Sequence, residues 1–336
     1  MKLRQQRRRL LAVAAVLVTA FALLAWRVAD EGLPEWSTQA PTIGGSPEVT
    51  AAPVDASGLA LPKKLGSLRF AVMGDVGRGD QAQYDTANEM ARWHERFDFD
   101  FVLMLGDNIY AEGTPEQYAA RFERPYKSLL DRGVVFQAVL GNHDPPGQTL
   151  YAPFNMNGNR YYSFKKNAGP PVPLAGRQVE FFALDTVTLD GPQLVWLRGR
   201  LQASTADWKI GFYHHPLYTS GRYRFSASLL RRRLGPIFAQ YGLDVGFSGH
   251  EHFYERILPE LGVQYFTSGG GGALRRGDLR PSTVKAVGFD EDTHFMLIEI
   301  AGDHLYFQAI SRTGQTVDQG QFERVSHAPP PPVLRH

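Results

Sequence analysis

Cysteine is absent from this chain of 336 residues. Its absence excludes disulfide bonds, thiolate metal sites and a cysteine nucleophile, so any metal ligands must be nitrogen or oxygen atoms. Net charge is also low, because the formal value is only +2 and much of the basic excess lies in the first nine residues. This balance does not predict nucleic-acid binding. The composition is that of a globular protein, and the length suits one large α/β domain with appendages.

The N-terminus carries a basic cluster followed by a long apolar run. Lys2, Arg4 and Arg7 to Arg9 precede a run of about 17 residues from Leu10 to Trp26, which is the lower limit of a membrane span. No small-residue cleavage site follows the run, and the basic flank should stay in the cytoplasm. We therefore predict an uncleaved signal anchor over residues 1–29, with the rest of the chain on the periplasmic or other extracytoplasmic side. A cleaved signal peptide, which would release a secreted protein, and a twin-arginine export signal stay open as alternatives.

Three further segments follow the predicted anchor. Residues 30–66 are rich in Pro, Ala, Gly, Ser and Thr without a sustained period, and we expect a flexible spacer. Residues 67–325 have the apolar periodicity of one folded domain. Residues 326–336 include four consecutive prolines, which is typical of a disordered or polyproline-like tail.

Strand and helix patterns alternate in the folded domain, and more β-rich sequence follows. The predicted strands are Leu68–Met73, Phe101–Leu105, Val134–Leu140, Val179–Leu184, Lys209–Tyr213, Asp244–Phe247, Val263–Thr267, His294–Ile300 and Leu305–Ile310. The predicted helices are Ala82–Phe97, Pro115–Leu130, Pro192–Ala203 and Ala227–Tyr241. This order indicates an α/β fold in which two packed sheets are flanked by helices and strand ends converge on one rim.

Five short blocks place oxygen or imidazole ligands where an apolar, β-prone run ends. They are Gly74–Gly77, Gly106–Tyr110, Gly141–Asp144, His214–Pro216 and Gly249–His252. One such block would be weak evidence, but five in this order indicate a two-metal site. Two-metal hydrolases need a bridging carboxylate and several further ligands on each cation. The blocks therefore favour a metal-dependent phosphoester hydrolase.

The residue types suggest how the ligands divide. Asp107 is our candidate for the bridging carboxylate, because it is central among the blocks and follows a strongly apolar strand. Asp75 is a second carboxylate ligand. The neutral and imidazole candidates are Asn142, His214, His250 and His252. His250 and His252 share one face of an extended segment, because residues i and i+2 point the same way.

The blocks resemble those of the calcineurin-like metallophosphoesterase superfamily and, within it, the purple acid phosphatases of the tartrate-resistant type. The resemblance covers roughly Phe70 to Gly272 and implies a four-layer α/β/β/α sandwich of two mixed β-sheets. Many relatives carry a histidine ligand where this chain has Gly77. In purple acid phosphatases a tyrosine three residues after the bridging aspartate takes its place, and Tyr110 stands at that spacing from Asp107.

The resemblance also implies the cofactors. It assigns Asp75, Asp107, Tyr110 and His252 to a ferric ion, which a phenolate ligand suits. It assigns Asp107, Asn142, His214 and His250 to a divalent partner. Imidazole and carboxylate ligands alone do not decide whether that partner is Fe, Zn or Mn.

By the same resemblance, His143 binds phosphate and protonates the leaving alkoxide. Asp144 is expected to hold the tautomer of His143 and to raise the pKa of His143. The smaller relatives carry a second histidine where this chain has Tyr223, so we consider His215, Tyr223 or Arg224 for that role. Arg275 and Arg276 lie near the last block in sequence and are candidates for attracting an anionic substrate.

These residues predict an acid-phosphatase-like phosphomonoesterase acting on a phosphorylated small molecule, in which a metal-bound hydroxide attacks phosphorus. A phosphodiesterase, nucleotidase or pyrophosphatase on the same site stays open, as does a membrane-tethered binding protein without catalysis. Outside the blocks, we interpret His94 as a helix-surface residue and Asp185 as a buried carboxylate bonded to backbone. His294 receives no role, and no oligomeric state is predicted.

Overall fold

A computed structural model describes residues 45–56, 58–168 and 177–325 of the chain. These residues contain thirteen strands. In chain order they are β1 Leu68–Met73, β2 Phe101–Met104, β3 Val135–Ala138, β4 Tyr162–Ala168, β5 Arg177–Leu184, β6 Trp208–Tyr213, β7 Val245–Ser248, β8 Tyr254–Ile257, β9 Gln264–Ser268, β10 Lys285–Phe289, β11 His294–Ala301, β12 His304–Ser311 and β13 Thr316–Glu323.

The strands form two mixed sheets. The first has the order β13-β12-β11-β1-β2-β3, and β1, β2 and β3 run parallel in it. The second has the order β10-β8-β9-β7-β6-β5-β4, with β5, β6, β7 and β9 parallel. Because parallel strands are joined by crossovers on the sheet faces, the carboxyl ends of the central strands meet at one edge of each sheet.

Helices cover the outer face of each sheet. They are α1 Gln81–Phe97, α2 Pro115–Tyr118, α3 Lys127–Asp131, α4 Gly191–Ala203 and α5 Arg224–Tyr241, with a π-helical turn at Ala119–Glu123. The continuous helix predicted over Pro115–Leu130 is wrong, since this segment is broken into three parts. Pro125 lies inside it and has no backbone N–H to continue the helical hydrogen bonds.

Three buried apolar clusters hold the layers together. One lies between the two sheets, where Phe70 stacks on Phe101 at 5.1 Å between ring centroids and meets Phe181 edge-on at 5.4 Å. The others lie between the first sheet and α1, and between the second sheet and α4 and α5. Burying each such phenylalanine contributes about 1.5–3 kcal/mol. The predicted four-layer α/β/β/α arrangement is confirmed.

Residues 45–56 and 58–66 pack on the domain, so the flexible spacer predicted over residues 30–66 is corrected for this part. Leu59, Ala60 and Leu61 are buried, and the Ala60 N–H donates to Gln308 Oε1 at 2.9 Å. A β-bridge pairs residue 50 with residue 321 on the edge strand β13. The segment supplies partners to a sheet edge that would otherwise be unpaired.

The two predicted terminal segments lie outside the described residues. The predicted anchor over residues 1–29 and the tail over 326–336 are not among the described residues. No helix in the described ranges is both long and apolar enough to cross a membrane.

Two polar side chains outside the five blocks have different outcomes. The surface position predicted for His94 is wrong: the ring is buried, and its Nε2 bonds the carbonyl oxygen of Phe99 at 3.1 Å, because the chain folds back just after α1. The buried role predicted for Asp185 is confirmed, since its carboxylate accepts two backbone N–H groups that follow it. Arg160 also pairs with Asp185.

Candidate metal centre

Each of the five blocks begins where a parallel strand ends. β1, β2 and β3 supply three blocks from the first sheet, and β6 and β7 supply two from the second. Three of the predicted ligands have left-handed backbone angles, namely Asp75 with φ 57°, Asp107 with φ 50° and His250 with φ 68°. This conformation is uncommon outside glycine, so the surrounding structure holds these strand ends in a costly conformation that aims their side chains inward.

One group of predicted ligands surrounds Tyr110. Its hydroxyl lies 3.4 Å from Asp75 Oδ1 and 3.3 Å from His252 Nε2. His252 Nε2 is in turn 3.2 Å from Asp75 Oδ1. The backbone N–H of His250 donates to Asp75 Oδ2 at 2.8 Å and fixes that carboxylate. Three ligand atoms of different residues therefore converge within bonding reach of one point.

A second group surrounds His214. Its Nε2 lies 3.0 Å from Asn142 Oδ1 and 3.2 Å from His250 Nδ1. Asp107 lies between the groups, with Oδ1 3.5 Å from His214 Nε2 and its carboxylate within hydrogen-bonding reach of Tyr110. The structure thus brings all seven predicted ligands together, in two groups with Asp107 between them.

The contact of His214 with Asn142 has the chemistry of a cation site. His214 Nδ1 lies 2.9 Å from the carbonyl oxygen of Leu105, which accepts only, so Nδ1 carries the proton. Burial, and next the neighbouring His215, hold the pKa of His214 well below its usual range, so its Nε2 is a free lone pair. That lone pair faces the amide oxygen of Asn142, which is another acceptor. A metal ion satisfies both atoms, and the donor set fits one.

Burial also sets the protonation of the other ligands. It raises the pKa of Asp75 well above its usual range, with repulsion by Asp107 adding to it. It lowers the pKa of His252 to about 4, and the charge of Arg275 contributes. Burial and the charge of Asp75 raise the pKa of the Tyr110 hydroxyl. The imidazoles are therefore neutral as metal ligands must be, and a phenolate at Tyr110 requires a bound cation.

A model of the calcineurin-like phosphoesterase family matches residues 68–254, more than half of the chain, and the match spans all five blocks. The chain belongs to the calcineurin-like phosphoesterase family. Membership and its purple acid phosphatase relatives make it a metal-dependent phosphoester hydrolase, and the family implies a dinuclear metal centre.

Two relatives match about two thirds of this calcineurin-like phosphoesterase. Human tartrate-resistant acid phosphatase type 5 is 29% identical over 239 residues, which is 61% of this chain and 73% of that protein. Purple acid phosphatase 17 of Arabidopsis thaliana is 28% identical over 254 residues, covering 66% of this chain and 73% of that protein. Both are similar to this chain through the domain that carries the site.

Solved structures share the fold. A purple acid phosphatase from yellow lupin (Lupinus luteus) seeds matches with a TM-score of 0.62 and 20% identity, covering 79% of this chain and 55% of that one. GAP50, described as the anchor in the inner membrane complex of Plasmodium, matches with a TM-score of 0.66 and 19% identity, covering 78% and 90%.

Gly77 and Tyr110 are linked by the backbone of this phosphoesterase. A Cβ atom added at Gly77 would lie 2.1 Å from the carbonyl oxygen of Asn108, so no side chain fits there. The Tyr110 N–H donates to the Gly77 carbonyl oxygen at 2.9 Å. The loop that delivers the tyrosine therefore occupies the space in which a histidine at position 77 would begin.

His143 and Asp144 do not form the pair that we expected. The backbone N–H of His143 donates to Asp107 Oδ1 at 2.9 Å, and its exposed imidazole lies 5.0 Å from the Tyr110 ring. The carboxylate of Asp144 accepts instead from the backbone N–H groups of Ile109 and Gly141, at 3.0 and 2.8 Å. Burial, with repulsion by Asp107, raises the pKa of Asp144 to about 8. Asp144 therefore ties two ligand loops together rather than orienting His143.

Two of the three candidates for substrate contact lie beside His250, and one does not. The rings of His215 and Tyr223 lie 4.3 and 4.2 Å from the His250 ring. Arg224 is corrected: its Nη2 donates to the carbonyl oxygens of Ser220 and Pro281, at 2.8 and 3.2 Å, because α5 begins at this residue and its side chain turns back. The guanidinium of Arg224 is thus engaged away from the ligands.

Glu251 is a functional neighbour that the sequence analysis missed. Its buried carboxylate accepts from Thr219 Oγ1 and from the backbone N–H of Tyr223, both at 3.0 Å. A Cβ at Gly221 would lie 2.4 Å from Glu251 Oε1, so the loop wraps closely around this side chain. Glu251 therefore holds the loop that places Tyr223 on His250. The only signal in the sequence is its position between two ligands.

Proposed function

We propose that this protein is an acid-phosphatase-like phosphomonoesterase of the purple acid phosphatase type. The observation that carries the proposal is the division of the ligands into two groups with Asp107 between them. In the proposal these groups hold two cations, with Asp107 as the bridge. The ligand residues are Asp75, Asp107, Tyr110, Asn142, His214, His250 and His252.

The chemistry of the donors supports different cations in the two groups. The group of Asp75, Tyr110 and His252 offers a carboxylate and a phenol that would bind as a phenolate, and these are hard anionic ligands that suit Fe(III). The group around His214 offers imidazoles and an amide oxygen, and a divalent Fe, Zn or Mn ion would bind there. Two such cations, when bound, lower the pKa of water and neutralise phosphate oxygens.

The protein residues supply the remaining steps. His143 is the proposed donor of a proton to the leaving alkoxide, because its imidazole is exposed beside Tyr110 and its backbone is fixed to Asp107. A groove of about 850 Å³ begins at Pro145, two residues after His143, and is lined by Tyr118 and Tyr151. The volume of this groove suits the organic part of a monoester.

Turnover on matched substrates tests the proposal. We expect the purified protein to hydrolyse p-nitrophenyl phosphate faster than bis(p-nitrophenyl) phosphate or ATP, and chelation to abolish the activity. His143→Ala should lower kcat by about 10²- to 10⁴-fold while metal content stays unchanged. Faster cleavage of the diester or of ATP would favour a phosphodiesterase, nucleotidase or pyrophosphatase on the same ligands. No hydrolysis by metal-loaded protein would leave a non-catalytic binding role.

We also infer that the catalytic domain is held at a membrane by residues 1–29. The basic cluster and the apolar run Leu10 to Trp26 support this. Val18→Arg places a charge within the run, at a cost of about 2.5–3.5 kcal/mol at a membrane centre. The full chain should stay in the carbonate-washed membrane fraction and the variant should leave it. A shortened, soluble wild-type protein would indicate cleavage instead.

A further inference from the structure

The segment after β9 is bound to the metal-ligand blocks through its backbone. The N–H of Gly271 donates to the carbonyl oxygen of Gly74 at 3.0 Å, and that of Ala273 donates to Asp75 at 2.9 Å. Two residues later, the N–H of Arg275 donates to the carbonyl oxygen of His252 at 3.1 Å. Arg275 is therefore fixed at the edge of the site rather than carried on a loose loop.

The side chain of Arg275 extends toward the ring that covers His250. Its guanidinium carbon lies 6.0 Å from the centroid of Tyr223, and the Tyr223 ring lies 4.2 Å from that of His250. A contact of this kind holds a guanidinium over an aromatic face without using its N–H groups. The contact with Tyr223 thus leaves the N–H groups of Arg275 unused.

Arg275 also has an unsatisfied donor. Its Nη1 is buried and has no hydrogen-bond partner, and within the described residues no carboxylate forms an ion pair with it. The nearby Arg222 contrasts with it, since its Nη2 is paired with Asp278 Oδ1 at 2.7 Å. A buried unpaired donor costs about 1–3 kcal/mol, which a substrate oxygen would recover.

We propose that Arg275 binds a phosphate oxygen of the substrate and supplies positive charge beside Tyr223. The proposal rests on the proposed phosphomonoesterase function. Guanidinium N–H groups match phosphate oxygens in geometry and charge, so the contact would be a charge-assisted hydrogen bond. In this proposal the Tyr223 ring orients the guanidinium through the cation–π contact.

The structure separates the two arginines that the sequence offered for attracting substrate: Arg276 is exposed, whereas Arg275 has a buried Nη1, so Arg276 serves as the matched control. With the metal-loaded enzyme, R275Q should raise KM for p-nitrophenyl phosphate and the inhibition constant for inorganic phosphate by about 10-fold or more, as loss of a charged hydrogen bond predicts. R276Q should change neither constant by more than about twofold. Calorimetric titration with inorganic phosphate should give the same weakening without turnover.

R275Q with wild-type phosphate affinity, or R276Q with an equal loss, would overturn the proposal. If R275Q loses metal or does not fold, R275K provides the test, because lysine keeps the charge but presents a single ammonium group. R275K should weaken phosphate binding measurably, but by less than R275Q does. If R275K binds phosphate as tightly as the wild type, a contact made by two guanidinium N–H groups is contradicted. Absence of any hydrolysis by the wild type would reject the phosphatase function, whereas the calorimetric comparison would still decide the role of Arg275.

Discussion

His214 Nε2 lies 3.0 Å from Asn142 Oδ1, and both atoms are acceptors once His214 Nδ1 has donated to Leu105. Two acceptors at this separation repel each other unless a cation lies within reach of both. The same feature makes neutral imidazole and amide oxygen a good pair of metal ligands. The protein without metal should therefore be less stable than the metal-loaded protein, by an amount that grows with metal concentration.

Asn142→Leu removes one of these acceptors. We expect the variant to lose one cation per chain, or to bind it at least about 10-fold more weakly, because the group around His214 then lacks an oxygen ligand. Elemental analysis after dialysis measures this directly. Asn167→Leu, on the exposed side of β4, is the control and should keep the wild-type metal content.

Tyr110→Phe removes the phenol oxygen that lies 3.4 Å from Asp75 Oδ1 and 3.3 Å from His252 Nε2. Protein produced with iron should show a visible charge-transfer band, and the variant should lose it. With Zn as the only metal, the hydrolytic activity of the variant should fall by a smaller factor than the intensity of the band, since the group around His214 is intact. Tyr118→Phe is the control and should keep the band. A colourless wild type that is active with Zn or Mn would contradict the ferric assignment.

Gly77→Ala should destabilise the fold by more than about 2 kcal/mol, because its Cβ would overlap the backbone at Asn108. The displaced loop carries Tyr110, so metal content should fall as well. Gly199→Ala is the control: nothing lies within 4 Å of its added Cβ in α4, and it should stabilise by about 0.5–1 kcal/mol. Urea unfolding of both variants measures the free energies. An unperturbed Gly77→Ala would show that the loop is free to move.

His294 should make the fold sensitive to acid. Burial lowers its pKa from 6.5 to about 4. The unfolded chain therefore binds a proton between these values while the folded chain does not. The stability contributed by the neutral ring is complete above pH 6.5 and is lost as pH falls to about 4, by about 3 kcal/mol. Denaturant unfolding with chelator should reveal the loss, and His294→Leu should remove it. Equal pH slopes for both proteins would contradict this prediction.

The sequence was sufficient to predict that the candidate ligands lie together, because each of them follows a buried strand. Parallel strands bring their carboxyl ends together whatever the rest of the fold, so the closeness of Asp75, Asp107 and His214 was predictable from position alone. The need for glycine at position 77 was not predictable, since the clash of a side chain there involves the backbone of Asn108, which no pattern in the sequence reports. Asp144 likewise bonds backbone groups of another loop, and side-chain identity does not predict such partners.

Other features depended on long-range packing. Residues 59–61 have the composition of a spacer, yet they are buried, and Ala60 bonds Gln308 of β12, which lies 248 residues further along the chain. The unpredicted strands β4, β8, β10 and β13 include exposed or polar positions, and pairing with neighbours rather than apolar periodicity decides their structure. His94 was misplaced because the return of the chain at Phe99 covers it.

Elemental analysis of the wild-type protein, produced with iron, zinc and manganese available and dialysed free of loose metal, tests the account most directly. The two ligand groups with Asp107 between them predict two metal ions per chain, at least one of them iron, and loss of both in Asp107→Asn. A wild-type protein that retains one ion or none, or an Asp107→Asn variant that retains two, would contradict a dinuclear centre bridged by this carboxylate.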